Sequence, residues 1–431
     1  MKLLTVIATV IATVIASITL CLPAVSQERL TGDAPQTPVR PAQSESPAPT
    51  LPNTPAAKQG WSYEPDAGIV YRRGDFKWTS WGYGERLFDP GGEGGLWRRV
   101  RQGMEFDLPR FTPNYRAAFV YEVDLTDNDF FRNGPKWRIG ENLFWAIQNA
   151  EDAAKFRVLI GQNTHILTLE DFQSSGNLPT INRSLILEEH GSVFSLGTQF
   201  GIQVLKALST RYSLSASAQD NRGSFNTDKP HYNIGNSLAM KLTALVINDE
   251  KHGRKLTIGG GVDHTRDYQK GGHFTLASAI AFDPLGSVEA SGNKLSFEGD
   301  LVYTARLGTH PYTVETQGLQ SNFSGSGTLA RGIHGLMQIS VFDTDRFGDL
   351  DPFLRYDVVQ LGQDGIQGSA VQQALRTGVH FNLPFSQKLA NLHVEYARNS
   401  VRGPDEIVPE ARSFNEFRIE LRFSLTRYLR H

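Results

Sequence analysis

The sequence predicts an all-β fold: a transmembrane up-and-down antiparallel β-barrel of about sixteen strands with an inward-folded third loop. Three observations point to such a barrel. Hydrophobicity alternates with period two, many alternating segments run nine or more residues, and the gaps between them alternate short and long. A strand sends successive side chains to opposite faces, so strict alternation makes one face oily and the other polar. Tilted membrane strands need about nine to eleven residues, against about five or six for an average soluble strand.

Composition fits this reading. The 431 residues include 41 glycines, 25 phenylalanines and one cysteine, and are 20% charged with a net charge of −2. A lone cysteine, Cys21, excludes a disulfide scaffold. The near-neutral balance argues against a nucleic-acid partner. Beyond residue 26 no uncharged apolar run approaches the ~18 residues of a membrane helix.

Residues 1–26 read as an export signal. Lys2 precedes the apolar run containing TVIATVIATVIA, and Ala24-Val25-Ser26 offers small residues for cleavage. An uncleaved anchor helix is the alternative. Leu20 is too large for the small residue that should precede a lipidated Cys21. Residues 27–60 hold seven prolines and no aromatic side chain, the composition of a disordered, semi-extended linker. Aromatics begin at Trp61, so the barrel domain is expected over 61–431.

The clearest strand is Phe417-Arg-Ile-Glu-Leu-Arg-Phe-Ser-Leu425, with apolar odd positions and Arg418, Glu420, Arg422 and Ser424 between them. Seventeen such segments can be marked from 74–82 to 415–425. Both ends of an up-and-down bacterial barrel lie on the periplasmic side, which requires an even number. Loop lengths decide which segment fails. The alternation of short turns and longer outer loops holds throughout only if 273–282 belongs to one outer loop, 266–293. Aromatics near strand ends on the apolar faces, such as Tyr115, Trp137, Trp145, Phe417 and Phe423, suit interfacial girdles. In hydrocarbon open sheet edges are forbidden, so the strands must close and the charged face must line an aqueous interior. The alternative is an exported soluble β-sandwich, whose oily faces would pack on each other.

Three stretches, Phe156-Arg-Val-Leu-Ile-Gly-Gln162, Ile181-Asn-Arg-Ser-Leu185 and Leu196-Gly-Thr-Gln-Phe-Gly-Ile-Gln-Val204, resemble the phosphate-selective porin O and P family. So does Pro352-Phe-Leu-Arg-Tyr-Asp357. The resemblance implies a trimeric sixteen-stranded outer-membrane porin with an inward-folded third loop and a basic channel. It implies outer-membrane lipid and small anions or other small solutes as partners; no cofactor is expected. Two features depart from the family pattern. Asn182 stands where the family's loop motif has glutamate, and Leu429-Arg430-His431 replaces the usual terminal aromatic. The gap 163–194 follows the fifth strand, which independently makes it the third outer loop, and it is the longest gap.

Lys and Arg on a pore wall favour anions and carboxylates favour cations. Strand phase turns Lys77, Arg99, Arg101, Arg116, Arg157, Arg355, Arg376, Arg418 and Arg422 inward, and Arg183 lies in the third loop. These are the candidate pore-lining and anion-binding residues. Inward carboxylates, among them Glu105, Asp107, Glu122, Asp357 and Glu420, nearly balance them, so the same arginines can instead brace the wall. The histidines show no metalloprotease spacing and Gly91–Gly95 precedes a strand rather than a helix, so the expectation is a non-enzyme. A barrel hydrolase is the weakest alternative.

Overall fold

The computed structural model describes residues 59–64, 67–88, 96–124, 138–170, 178–181, 183–186, 198–220, 236–269, 274–277, 284–344, 348–383 and 389–424. Residues 1–26, most of the proline-rich segment and the chain end 425–431 lie outside this set, as do Trp137 and Asn182.

Among the described residues twenty-one strands follow in chain order. They are β1 (Gly60–Glu64), β2 (Gly68–Arg73), β3 (Phe76–Phe88), β4 (Leu96–Thr112), β5 (Tyr115–Asp124), β6 (Arg138–Asn149) and β7 (Phe156–Thr164), then β8 (Thr198–Ala207), β9 (Tyr212–Asp220), β10 (Asn236–Asp249) and β11 (Arg254–Gln269). The second half comprises β12 (Phe274–Ala277), β13 (Pro284–Val288), β14 (Ser291–Leu307), β15 (His310–Phe323), β16 (Thr328–Ile339), β17 (Phe342–Thr344), β18 (Gly348–Gly362), β19 (Ala370–Asn382), β20 (Ala390–Arg402) and β21 (Arg412–Ser424).

Sixteen of these, β3–β11, β14–β16 and β18–β21, pair antiparallel with their neighbours in order. The ring closes where Ile419–Ser424 of β21 meets Tyr83–Phe88 of β3. Closure lets neighbouring strands satisfy each other's N–H and C=O groups around the ring. The barrel strands span nine to seventeen residues, long enough for a tilted crossing. Of the segment 273–282 the described part, Phe274–Ala277, stands outside the ring and pairs with Pro284–Val288 in the separate two-stranded sheet β12–β13.

The hairpin β1–β2 is an addition the period-two pattern did not reveal. Its β2 pairs with residues 76–80 of β3, on the edge that β21 occupies further along. Trp61 packs against Tyr71 and Trp78, each at 5.1 Å between ring centroids. The hairpin's aromatics thus continue a belt that runs through Phe106 and Phe119 to Trp145.

Burial in the wall is inverted relative to a soluble sheet. Leu238, Met240 and Leu242 are 61%, 52% and 46% exposed on the outside of β10, while Lys241 between them is 5% exposed. Trp145, Phe297, Leu354, Leu375 and Phe417 likewise face outward. Asp263, Lys294, Arg355 and Glu420 are completely buried on the inner face. Among the described residues no second layer covers the oily side, and the sixteen strands close on themselves rather than stacking as two sheets.

Candidate functional site

The inner face of the barrel is the site, and loop three divides it. This loop follows β7 over residues 165–197, close to the expected 163–194. Gly161, within β7 and paired on both sides, sits at φ 138°, where a Cβ would stand 2.3 Å from the Leu143 carbonyl oxygen, so only glycine fits there. The described parts of the loop, 165–170, 178–181 and 183–186, are then fixed to the far wall by buried polar contacts.

The first anchor is on β10 and β11. Lys241 Nζ donates to the Leu167 carbonyl at 2.9 Å and pairs with Glu298 at 3.2 Å and Asp300 at 2.5 Å. Leu167 lies so close to β11 that a Cβ on Gly261 would meet its Cδ1 at 2.8 Å. Beside it, His165 Nε2 stands 3.5 Å from Asp263, which also accepts from Ser237 at 2.7 Å.

The second anchor is on β18 to β21. Arg422 donates to the carbonyls of Leu178 at 2.7 Å and Thr180 at 2.8 Å, with its Nε on Glu420. Glu395 accepts from the Ile181 amide at 3.0 Å, and His393 Nδ1 lies 3.3 Å from the Pro179 carbonyl. Arg376 donates to the Arg183 carbonyl at 3.2 Å. A loop backbone carried into a barrel cannot complete a ladder of its own, so side chains from the wall satisfy its carbonyls and amides.

Between these anchors sits Arg355. Its Nε donates to Asp357 at 2.9 Å, its Nη1 to Thr180 at 3.0 Å, and its Nη2 pairs with Glu170 at 2.7 Å. Glu170 in turn accepts from the Ser184 amide and hydroxyl at 2.8 and 2.7 Å. Burial works to raise the Glu170 carboxyl, but the charge of Arg355 and the two Ser184 hydrogen bonds work against it and the group is held at about 2. Two stretches that read as separate motifs in the sequence, Arg183-Ser184-Leu185 and Arg355-Tyr-Asp357, thus meet in space. Leu185, Ile186 and Leu167 then join Leu319, Phe323 and Val359 in an apolar core inside the barrel.

The candidate residues fall into two groups. Arg355, Arg376, Arg418 and Arg422 are no more than 2% exposed and hold carboxylates, loop carbonyls or both; Arg418 donates to Glu416 at 2.8 Å. Arg183 is half-buried in the loop. On the opposite wall, Arg101 reaches Glu122 at 3.3 Å, and Arg116 reaches Asp107 at 3.4 Å. The Arg157 guanidinium lies 5.5 Å from the Phe144 ring centroid. Lys77 is half-buried, opposite Asp107 in the ladder. Arg99 is placed in β4 opposite Glu85, but its side chain lies outside the described residues.

The sequence reading missed Glu170, Ser184, Thr180 and His393 as structural contacts of the site. His393 has a signal, since it shares inward parity with Glu395 on β20. The loop residues have none, because an irregular segment has no period to read.

No family model matches the chain, and no curated protein matches it. Solved structures do. OmpF of Salmonella typhi, in complex with daunomycin, matches over 84% of this chain and 99% of its own, at 11% identity and a TM-score of 0.50. An anion-selective porin from Comamonas acidovorans matches over 81% and 99%, at 10% identity and a TM-score of 0.48. The outer membrane channel DcaP of Acinetobacter baumannii matches over 82% and 98%, at 13% identity and a TM-score of 0.48. The likeness to OmpF speaks for the barrel fold alone.

Proposed function

We propose that this chain is an outer-membrane porin through which small hydrophilic solutes diffuse passively. The observation that carries this reading is the inverted burial: leucines and aromatics outside, ionic side chains inside a closed ring. An apolar band around a closed ladder suits a bilayer, and an ionic interior suits water. The printed functions of the matched structures, a channel and an anion-selective porin, agree with it. In this reading residues 1–26 direct export, residues 27–60 form a periplasmic tether, and lipid surrounds the outer band.

The passage runs along the wall that faces away from the loop-three anchors, past Lys77, Arg99, Arg101, Arg116 and Arg157. We assign it a preference for anions. In the Arg116–Asp107 pair the cation stands nearer the water, 31% exposed against 4%. Guanidinium also matches the oxygens of phosphate-like anions. The phosphate-selective resemblance and trimeric assembly belong to the same reading, with Arg183 at the loop edge of the passage.

The test is reversal potential across a planar bilayer in a KCl gradient, with the full chain. A potential of the sign set by chloride supports the anion reading. A cation-selective potential contradicts it while leaving the channel intact. Chemical cross-linking in detergent tests the trimer.

A further inference from the structure

Three donor groups converge where loop three meets the inner faces of β15 and β16. One ligand atom from each of Glu170, Glu315 and His334 lies within 4.8 Å of the others. Glu170 and His334 are fully buried, and Glu315 is 5% exposed. His334 Nε2 stands 3.7 Å from Glu315 Oε1, too far for a hydrogen bond. Among the described residues neither ring nitrogen of His334 has a hydrogen-bond partner. A buried imidazole left in that state carries an uncompensated desolvation cost, so the environment calls for something that both nitrogen and carboxylates can bind.

A metal ion meets that need. Bonds of about 2.0–2.2 Å around a tetrahedral centre put neighbouring donor atoms about 3.4 Å apart, close to the 3.7 Å between His334 and Glu315. We propose that Glu170, Glu315 and His334 bind one divalent transition-metal ion of the zinc class, clamping loop three to the barrel wall. Imidazole with two carboxylates favours zinc over magnesium or calcium, which prefer all-oxygen shells. Three protein ligands leave a fourth position for water or a neighbouring oxygen.

Two features of the surroundings bear on this directly. Arg355 already pairs with Glu170, and a second cation beside it must be tolerated. A carboxylate offers about four lone-pair sites. Ser184 takes two of those on Glu170 and Arg355 one, which leaves one directed elsewhere. The local charge is also favourable. Glu170, Glu315 and Asp357 bring three negative charges against the two positive charges of Arg355 and Arg376, so the pocket is short of one positive charge when His334 is neutral. The clamp holds whether or not the barrel conducts, since it concerns only how the loop is held.

The experiment uses full-length protein in detergent, stripped with a chelator and titrated with zinc chloride by calorimetry, with metal content measured after desalting. Wild type should retain one zinc per chain. His334→Gln and Glu315→Gln, both on wall strands and expected to keep the heat-modifiable gel migration of a folded barrel, should each weaken zinc binding at least tenfold. Cobalt in place of zinc should give a visible absorption band that His334→Gln abolishes. The proposal is overturned when wild type retains no metal, or when both variants bind zinc as tightly as wild type.

Discussion

Arg422, on the last strand, donates to the backbone carbonyl of Thr180, 242 residues earlier in the chain, at 2.8 Å. Its second terminal nitrogen donates to Leu178, and its Nε holds Glu420. One guanidinium therefore fixes the tip of loop three to the strand that closes the barrel. Replacing Arg422 with alanine leaves Glu420 buried beside carbonyls that have lost their donor. Breaking such a buried pair costs about 3–5 kcal/mol. We expect R422A to fold into a barrel of lower thermal stability, with larger and noisier single-channel steps. Conductance and noise equal to wild type would show that the loop does not depend on this anchor.

Glu170 makes loop three sensitive to acid, and the sign follows from its depressed folded value. A carboxyl near 2 in the folded state and 4.5 when the loop is released contributes stability that is fully present above about pH 4.5. That contribution is lost as pH falls through the window between them. The shift corresponds to about 3 kcal/mol of loop docking. Protease cleavage within loop three should therefore stay slow down to pH 4 and accelerate below pH 3. E170Q should be cleaved faster at neutral pH and lose this acid response. An E170Q profile parallel to wild type would assign the response to another group.

The two arginine groups should separate in a selectivity measurement. Substituting Arg116 and Arg157 with glutamine should lower the chloride-over-potassium permeability ratio several-fold and cost less stability than the loss of a fully buried arginine, since Arg116 is 31% exposed. Arg355→Gln should do the reverse: a clear loss of thermal stability, because Asp357 and Glu170 would keep buried charges without it. Reversal potentials and thermal unfolding of the same three proteins distinguish the roles.

Phe297 lies midway along β14 and is 51% exposed on the apolar side. F297R should cost about 2–4 kcal/mol, the penalty for arginine near a bilayer midplane. Urea titration of folding into lipid vesicles reads this directly. A neutral effect would mean that the position meets water.

Much of this architecture is written in parity. Phe417 to Leu425 alternates so regularly that both faces of β21 can be assigned from sequence, and loop alternation alone removes 273–282 from the ring. The hairpin β1–β2 escapes because Gly60–Glu64 and Gly68–Arg73 are five and six residues long, too short for alternation to stand out. Parity also tells which face Arg355, Arg376, Arg418 and Arg422 occupy but not what covers that face. The cover is loop three, and its contacts join an irregular segment to strands far along the chain. Glu170 meeting Arg355 is such a contact, and neither residue type nor spacing announces it.

The orientation of the wall is open to one direct measurement. Single nitroxide labels placed in turn from Asn236 to Val246 of β10, in lipid vesicles, report collision with oxygen, which concentrates in lipid, and with a water-soluble nickel chelate. We expect oxygen accessibility to rise and fall with period two, peaking at positions 238, 240 and 242, where the side chains are exposed and apolar. Nickel accessibility at those three positions exceeding that of oxygen would show that the apolar face of the barrel does not meet lipid.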